Sequence, residues 1–194
     1  MKIFLDNKEI SNKYKSSVPY KILEDIKSNL DNKIIKKIIL NNIEINELYL
    51  KESVIEKDVI KELRFTTQNV DDLIIETLLE IESYLPRLKK GCIETADYYR
   101  KSELEKAYQK YELVINGLSW YSESIFKIIK ILDKIKFEKI INDNLVYLNK
   151  HLEELQNAQS NNDNILIADI LEYEIIDMID NFIEFNNRIL EEIK

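Results

Sequence analysis

The chain has 194 residues, of which 33% are charged and 45% hydrophobic, and its formal net charge is −8. This composition supplies enough apolar side chains for the core of one domain or two small ones, and it excludes a disordered chain. Because only 2 Gly, 1 Cys and 1 His occur, glycine-rich nucleotide loops, disulfide frameworks, cysteine zinc sites and histidine-rich metal sites are excluded. We therefore expect no metal and no cofactor.

The charge is distributed unevenly along the chain. Residues 1–66 carry 13 basic and 11 acidic side chains, whereas residues 143–194 carry 3 basic and 12 acidic ones. Because an acidic surface repels phosphate, we expect no nucleic-acid partner for the C-terminal part. A solvated helix face accounts for this charge, and a docking surface for a basic partner is the alternative.

The sequence contains no candidate membrane span. No run approaches the roughly 20 apolar residues that cross a bilayer. The N-terminal stretch Met1–Asp6 reaches a charge too soon for a signal peptide. We therefore expect a cytoplasmic protein without a membrane partner, and the lone Cys92 fits a reducing compartment.

Residues 1–66 predict a small α+β module in which one helix accompanies several strands. The helix begins at Pro19, whose fixed φ suits a first turn, with Ser16 and Ser17 as possible caps. Period-two alternation and β-branched runs predict strands at Met1–Asp6, at Ile34–Leu40, at Ile43–Ile45 after an Asn41-Asn42 turn, and at Val59–Thr66. This order of elements resembles the β-grasp (ubiquitin-like) arrangement, which implies one helix packed across a small mixed sheet.

Residues 67–194 predict an antiparallel four-helix bundle made of two αα-hairpins. Apolar side chains recur at alternating steps of four and three residues, the spacing of helices packed in a bundle. Pro86 lies inside the first helix and predicts a kink near Ser83–Leu85, because proline removes one helical hydrogen bond. The predicted seams include Ile74, Leu78, Ile81, Leu85, Leu88 and Cys92 in the first helix, Leu104, Tyr108, Tyr111, Ile115 and Leu118 in the second, Leu145, Leu148, Leu152 and Leu155 in the third, and Ala168, Leu171, Ile175, Met178, Phe182, Phe185 and Ile189 in the fourth.

No constellation of residues in the sequence predicts catalysis. Cys92 falls on an apolar seam, which predicts a buried structural thiol. His151 is expected to be a solvated or capped helical residue, because no second histidine and no nucleophile signature accompany it. The Glu-x-x-His pairing of di-iron bundles is absent, since Leu148 stands three residues before His151. We therefore predict that the protein is not an enzyme.

The most unusual local stretch runs from Gly117 to Tyr121. A glycine inside a helix costs about 1 kcal/mol relative to alanine, so its presence predicts a close helix crossing or a surface groove. Aromatic side chains with polar tips are enriched at binding surfaces. The alternative is that these side chains pack the N-terminal module against the bundle. The candidate partner-binding residues are Gly117, Trp120, Tyr121, Tyr108 and Tyr111.

The αα-hairpins and the acidic last helix of Asp71–Lys194 resemble small bacterial export chaperones, especially those of flagellar subunits. That resemblance implies a helical bundle that holds an amphipathic segment of a secreted partner in an apolar groove. An uncharacterised bacterial family built of the same two parts fits the sequence equally well.

We therefore expect a non-catalytic protein-binding adaptor, or a protein like an export chaperone, that binds a partner helix in an apolar groove. One alternative is an enzyme of unknown substrate whose carboxylates are brought together only by the fold. The other is a structural homodimer, which a long apolar strip on the last helix would support.

Overall fold

The computed structural model describes residues 1–14, 18–52, 59–132 and 135–193. The chain divides into two compact units, Met1–Ile74 and Ile75–Lys194. A mixed five-stranded sheet lies in the first unit and helices make up the second, so the predicted α+β class is confirmed. The possible helix caps Ser16 and Ser17 lie outside the described residues.

The main elements of the first unit are β1 (Lys2–Leu5), β2 (Lys8–Glu9), α1 (Pro19–Ser28), β3 (Lys33–Leu40), β4 (Ile43–Ile45), α2 (Glu47–Glu52) and β5 (Glu62–Asn69). The sheet has the order β2-β1-β5-β3-β4, in which β1 is parallel to β5 and the other pairs are antiparallel. Two-residue turns close both hairpins. Their residues, Asp6, Asn7, Asn41 and Asn42, all have positive φ, which Asn and Asp tolerate better than other side chains.

The core of the first unit follows the predicted periodicities. Alternate residues Leu63 and Phe65 of β5 are buried, as are Ile22 and Ile26 of α1. The predicted strand Val59–Thr66 begins three residues too early, because Val59 is exposed and outside the sheet. The strand also ends later than predicted, since its polar end pairs with the start of β3 through Ile34 opposite Gln68 and Ile35 opposite Thr67.

The helical elements are α3 (Val70–Arg100), α4 (Leu104–Leu132), α5 (Ile135–Ser160), α6 (Asn164–Asp169), a π-helical segment (Ile170–Ile175) and α7 (Ile176–Ile193). The single last helix predicted from the sequence is therefore divided, because its residues 170–175 adopt π geometry. α3 begins directly after β5 and continues through Pro86. None of the described helices is long and apolar enough to cross a membrane.

Contacts within the second unit pair its helices in opposite directions. Between α3 and α4, Lys110 lies 3.0 Å from Glu94 near one end of the pair, and Tyr84 contacts Trp120 further along. Between α3 and α7, Lys89 Nζ lies 2.7 Å from Asp180, and Asn186 Nδ2 donates to the carbonyl of Leu78 at 3.1 Å. The predicted seam of the last helix is confirmed, because its residues are at most 2% exposed, namely Ala168, Leu171, Ile175, Met178, Phe182, Phe185 and Ile189.

Candidate functional site

The structure separates the predicted partner-binding residues into two groups on α4. Near its N-terminal end, Tyr108 and Tyr111 both make edge-to-face contacts with the buried Tyr99, at centroid distances of 6.0 and 6.3 Å. Tyr108 is exposed and Tyr111 is half-buried, so the predicted seam is displaced at this end. The buried face begins instead with Ala107, a small side chain whose weight in the apolar pattern is low.

The second group surrounds Gly117, where α3 and α4 approach closely. A β-carbon at Gly117 would lie 2.8 Å from Leu88 Cδ1 and would clash with the Tyr84 hydroxyl. The half-buried Trp120 packs its ring edge-to-face on Tyr84, with centroids 5.0 Å apart. Of the two predicted outcomes for Gly117, the close helix crossing is therefore the one that the structure has. Gly117 is buried and offers no surface.

Tyr121, a candidate partner-binding residue, faces the core and offers no surface to a partner. Its ring is fully buried and stacks on Phe182 of α7, with a centroid distance of 4.3 Å. The hydroxyl has no hydrogen-bond partner among the described residues, and burial raises the pKa of Tyr121 well above its ordinary value. The physical reason is the helical period, which places residue 121 on the same face as Val114 and Leu118.

An open groove lies between α4 and α5. One of its lining residues, Ser119, directly precedes Trp120 in the sequence. The groove has a volume of about 440 Å³. Leu148 of α5 is its buried floor, and the ring of Phe126 is 39% exposed. The rest of its lining is Leu145, Leu152, Ser119, Ser122, Glu123 and Asn149. No predicted partner-binding residue is among these lining residues, and all of them belong to α4 or α5.

A second cavity, of about 510 Å³, lies between α5 and the run from α6 into the π-helical segment. His151 lies at its buried side and is 2% exposed, so of the two predicted situations, solvated or capped, the solvated one is wrong. The signal was present in the sequence, because Leu148, His151, Leu155 and Ala158 follow one another at steps of three, four and three. His151 therefore occupies a seam position, and all four residues are buried.

The two ring nitrogens of His151 have different surroundings. Nδ1 lies 2.9 Å from a carboxylate oxygen of Glu154. Nε2 lies 3.7 Å from a carboxylate oxygen of Glu174 and has no hydrogen-bond partner among the described residues. Tyr147 packs its ring edge-to-face on His151 at 4.4 Å, and its hydroxyl donates to Glu174 at 3.3 Å. The loss of hydration, followed by the Glu174 charge, raises the pKa of Tyr147.

The remaining reactive groups of the described chain do not assemble into a metal site. No group of three His, Cys, Asp or Glu side chains among the described residues could hold a metal ion. Cys92 is fully buried on α3, which confirms the predicted buried thiol. Burial raises the pKa of Cys92 to about 12. A thiol with this pKa is almost entirely protonated at neutral pH, so it is a poor nucleophile.

Comparison with known proteins identifies the family of the helical part. Residues 76–185 match the model of a family described as a domain of unknown function (DUF8042). No curated protein and no solved structure matches the chain. The family match covers more than half of the 194 residues. The chain therefore belongs to the DUF8042 family.

Proposed function

We propose that the protein is a non-catalytic, cytoplasmic adaptor or chaperone-like protein whose α4–α5 groove holds an apolar segment of a basic partner. The observation that carries this proposal is the groove itself. It exposes part of Phe126 above a floor made by Leu148, and hydroxyl and amide side chains form its rim. Apolar centres with polar rims are typical of surfaces that bind an amphipathic helix.

The acidic charge of the C-terminal part of the chain favours a basic partner. The C-terminal stretch 143–194, which contributes the α5 wall of the groove, carries 12 acidic and 3 basic side chains. Glu123 is the charged residue of the groove lining. Because Lys127 lies 3.7 Å from Glu123, the attraction rests on the net charge of residues 143–194. A partner segment with apolar residues on one face and Lys or Arg beside them would therefore be attracted, and an acidic one repelled.

Two alternatives receive less support from the same unit. A homodimer along the last helix needs an exposed apolar strip, whereas Phe182 and Ile189 of α7 are buried within the unit. A carboxylate enzyme needs facing carboxylates in a closed pocket. Glu154 and Glu174 flank His151, but their side chains are 42% and 47% exposed, so water reaches both of them.

The proposal extends to the finer architecture. We propose a β-grasp-like first unit, which the parallel pairing of β1 with β5 and the position of α1 between two hairpins support. For the second unit we propose an antiparallel four-helix bundle whose fourth member is the run α6–π–α7. The opposed contacts between α3 and α4 and between α3 and α7 support it.

Site-specific photo-cross-linking tests the groove. A photoreactive phenylalanine analogue at Ser119, an exposed residue of the rim, should cross-link one polypeptide in cell extract. The same analogue at the exposed Glu184 of α7 is the matched control. We expect the cross-linked segment to be apolar with an excess of Lys and Arg, and Phe126→Glu to abolish the product. Equal labelling at both positions, or an acidic cross-linked segment, would contradict the proposal.

A further inference from the structure

We propose that the cavity beside His151 binds a primary alkylammonium group, which donates hydrogen bonds to His151 Nε2 and to the carboxylate of Glu174. This site is separate from the α4–α5 groove, and the inference does not depend on the adaptor function.

The tautomer of His151 follows from its neighbour. A carboxylate only accepts hydrogen bonds, so Nδ1, at 2.9 Å from Glu154, carries the proton of the neutral ring. Nε2 is then a lone-pair acceptor, and it is buried without a partner among the described residues. Glu174, a second acceptor, lies 3.7 Å away. Two acceptors at this separation lack the donor that would satisfy both.

Charge balance around the cavity identifies Glu174 as the anionic group of the site. Lys150 lies 3.7 Å from Glu154, and Arg100 donates to Asp169 at 2.8 Å. These two carboxylates therefore have basic partners, whereas Glu174 has none apart from His151 among the ion pairs of the described residues. A ligand that is both a cation and a donor completes this arrangement, and an ammonium group is both.

The walls of the cavity favour an ammonium with an alkyl chain. The exposed ring of Tyr173 lines it beside Tyr147, and aromatic faces attract organic cations. Leu166 and Ile170 supply apolar lining for methylene groups. Tyr173 and Glu174 both belong to the π-helical segment, and such segments frequently occur at functional sites.

The competing explanation is a doubly protonated His151, whose own Nε2–H would donate to Glu174. The titratable groups that line the cavity with His151 are Tyr147, Lys150 and Glu154 from α5, Asp169 from α6, and Tyr173 and Glu174 from the π-helical segment. In that state the cavity needs no further donor. The two explanations differ in the protonation of one nitrogen, which nuclear magnetic resonance observes directly.

The full chain offers a clean probe, because it contains a single histidine. With ¹⁵N-labelled histidine at pH 8, we expect the Nε2 resonance of a neutral ring and a saturable shift on addition of n-butylammonium chloride. Sodium chloride at equal ionic strength should leave the resonance in place. Tetramethylammonium chloride, which has no N–H donor, should give no saturable shift. Two further titrations distinguish the possible sources of the ammonium group. Putrescine represents a free amine, and N-acetyl-lysine N-methylamide represents a lysine side chain. The probe with the lower dissociation constant identifies the source.

Matched variants assign the site. Glu174→Gln removes the charge and supplies an amide N–H that can itself donate to Nε2, so we expect butylammonium affinity to fall about tenfold or more. Glu153→Gln makes the same chemical change on the exposed side of α5 and should bind as the unmodified chain does. Far-ultraviolet circular dichroism checks that both variants fold. A doubly protonated ring at pH 8, no saturable shift with butylammonium, or unchanged affinity in a folded Glu174→Gln would each overturn the proposal.

Discussion

The Tyr84 hydroxyl fills the space that a β-carbon would need at Gly117. The same phenol ring contacts Trp120, one turn further along α4, at an interplanar angle of 72°. The missing side chain at residue 117 therefore does more than allow a close approach of α3 and α4. It sets the position of Tyr84 and, through that ring, the packing of the only tryptophan of the chain.

Gly117→Ala should lower the free energy of unfolding by about 1–2 kcal/mol, because the clash with Tyr84 and Leu88 outweighs the gain in helix propensity. Gly91→Ala is the matched control on α3. Its added β-carbon would meet Val114 at 3.7 Å, an ordinary contact, so we expect a gain of about 0.5–1 kcal/mol. Urea unfolding followed by circular dichroism measures both, and equal stability of the two variants would contradict the close approach.

Tyr121→Phe should raise the free energy of unfolding by about 1 kcal/mol. The substitution removes a buried hydroxyl that has no hydrogen-bond partner among the described residues and keeps the ring that stacks on Phe182. Tyr173→Phe, at a ring that is 60% exposed, should leave stability unchanged within about 0.5 kcal/mol. A loss of stability in Tyr121→Phe would mean that the hydroxyl makes a favourable hydrogen bond.

Asn41→Ala should destabilise the first unit by about 2 kcal/mol or more. The Asn41 side chain accepts from the backbone of Lys61 and Glu62 and donates to the carbonyl of Val59, and its φ is 48°. Asn42→Gly is the control, since glycine adopts the positive φ of 69° at this position readily. Near-neutral stability of Asn41→Ala in thermal unfolding would show that these three bonds contribute little.

Stability should fall as the pH rises from about 9 towards 12. Burial raises the pKa of Cys92 and of Tyr99 to about 12 in the folded chain, from ordinary values of 9.0 and 10.0. The unfolded chain therefore releases these protons at lower pH than the folded one, and alkali favours unfolding. Urea midpoints at pH 8, 9.5 and 11 test this. Cys92→Ala should show a shallower pH dependence, and an identical slope would contradict the assignment to this thiol.

The conformation or burial of a residue was predictable from the sequence where its side-chain chemistry and its place in the pattern indicate the same environment. The Asn41-Asn42 turn is an example, because Asn is among the side chains that tolerate positive φ. His151 is the opposite case. Its position on the Leu148–Leu155 seam indicated burial, whereas its polar ring indicated exposure to solvent. In the structure the ring is buried, as the position indicated. The expectation that Tyr121 belongs to a binding surface was wrong for the same reason, because its aromatic ring packs in the core although it carries a polar hydroxyl.

The π-helical segment had no signal in the hydrophobic pattern. Ala168, Leu171, Ile175 and Met178 keep steps of three and four residues across it, and all four are buried. The spacing of apolar residues predicts which side chains face the core. It does not predict whether the backbone hydrogen bonds follow the α or the π pattern. The cavity beside His151 was not predicted for the same reason, because Glu174 of this segment contacts Tyr147 and His151 of α5.

The π-helical segment also marks a place where the chain length can change by one residue. A π turn holds one residue more than the α turn that it replaces. Loss of the exposed Tyr173 would let the segment return to α geometry while Phe182 keeps the face that it presents to the core. The same deletion at Glu112 in the uninterrupted α4 would rotate everything after it by about 100° and turn Leu118 towards solvent. Insertions and deletions during evolution of the family should therefore collect at residues 170–175, and a relative shortened there would keep the helical fold and lose the wall beside His151.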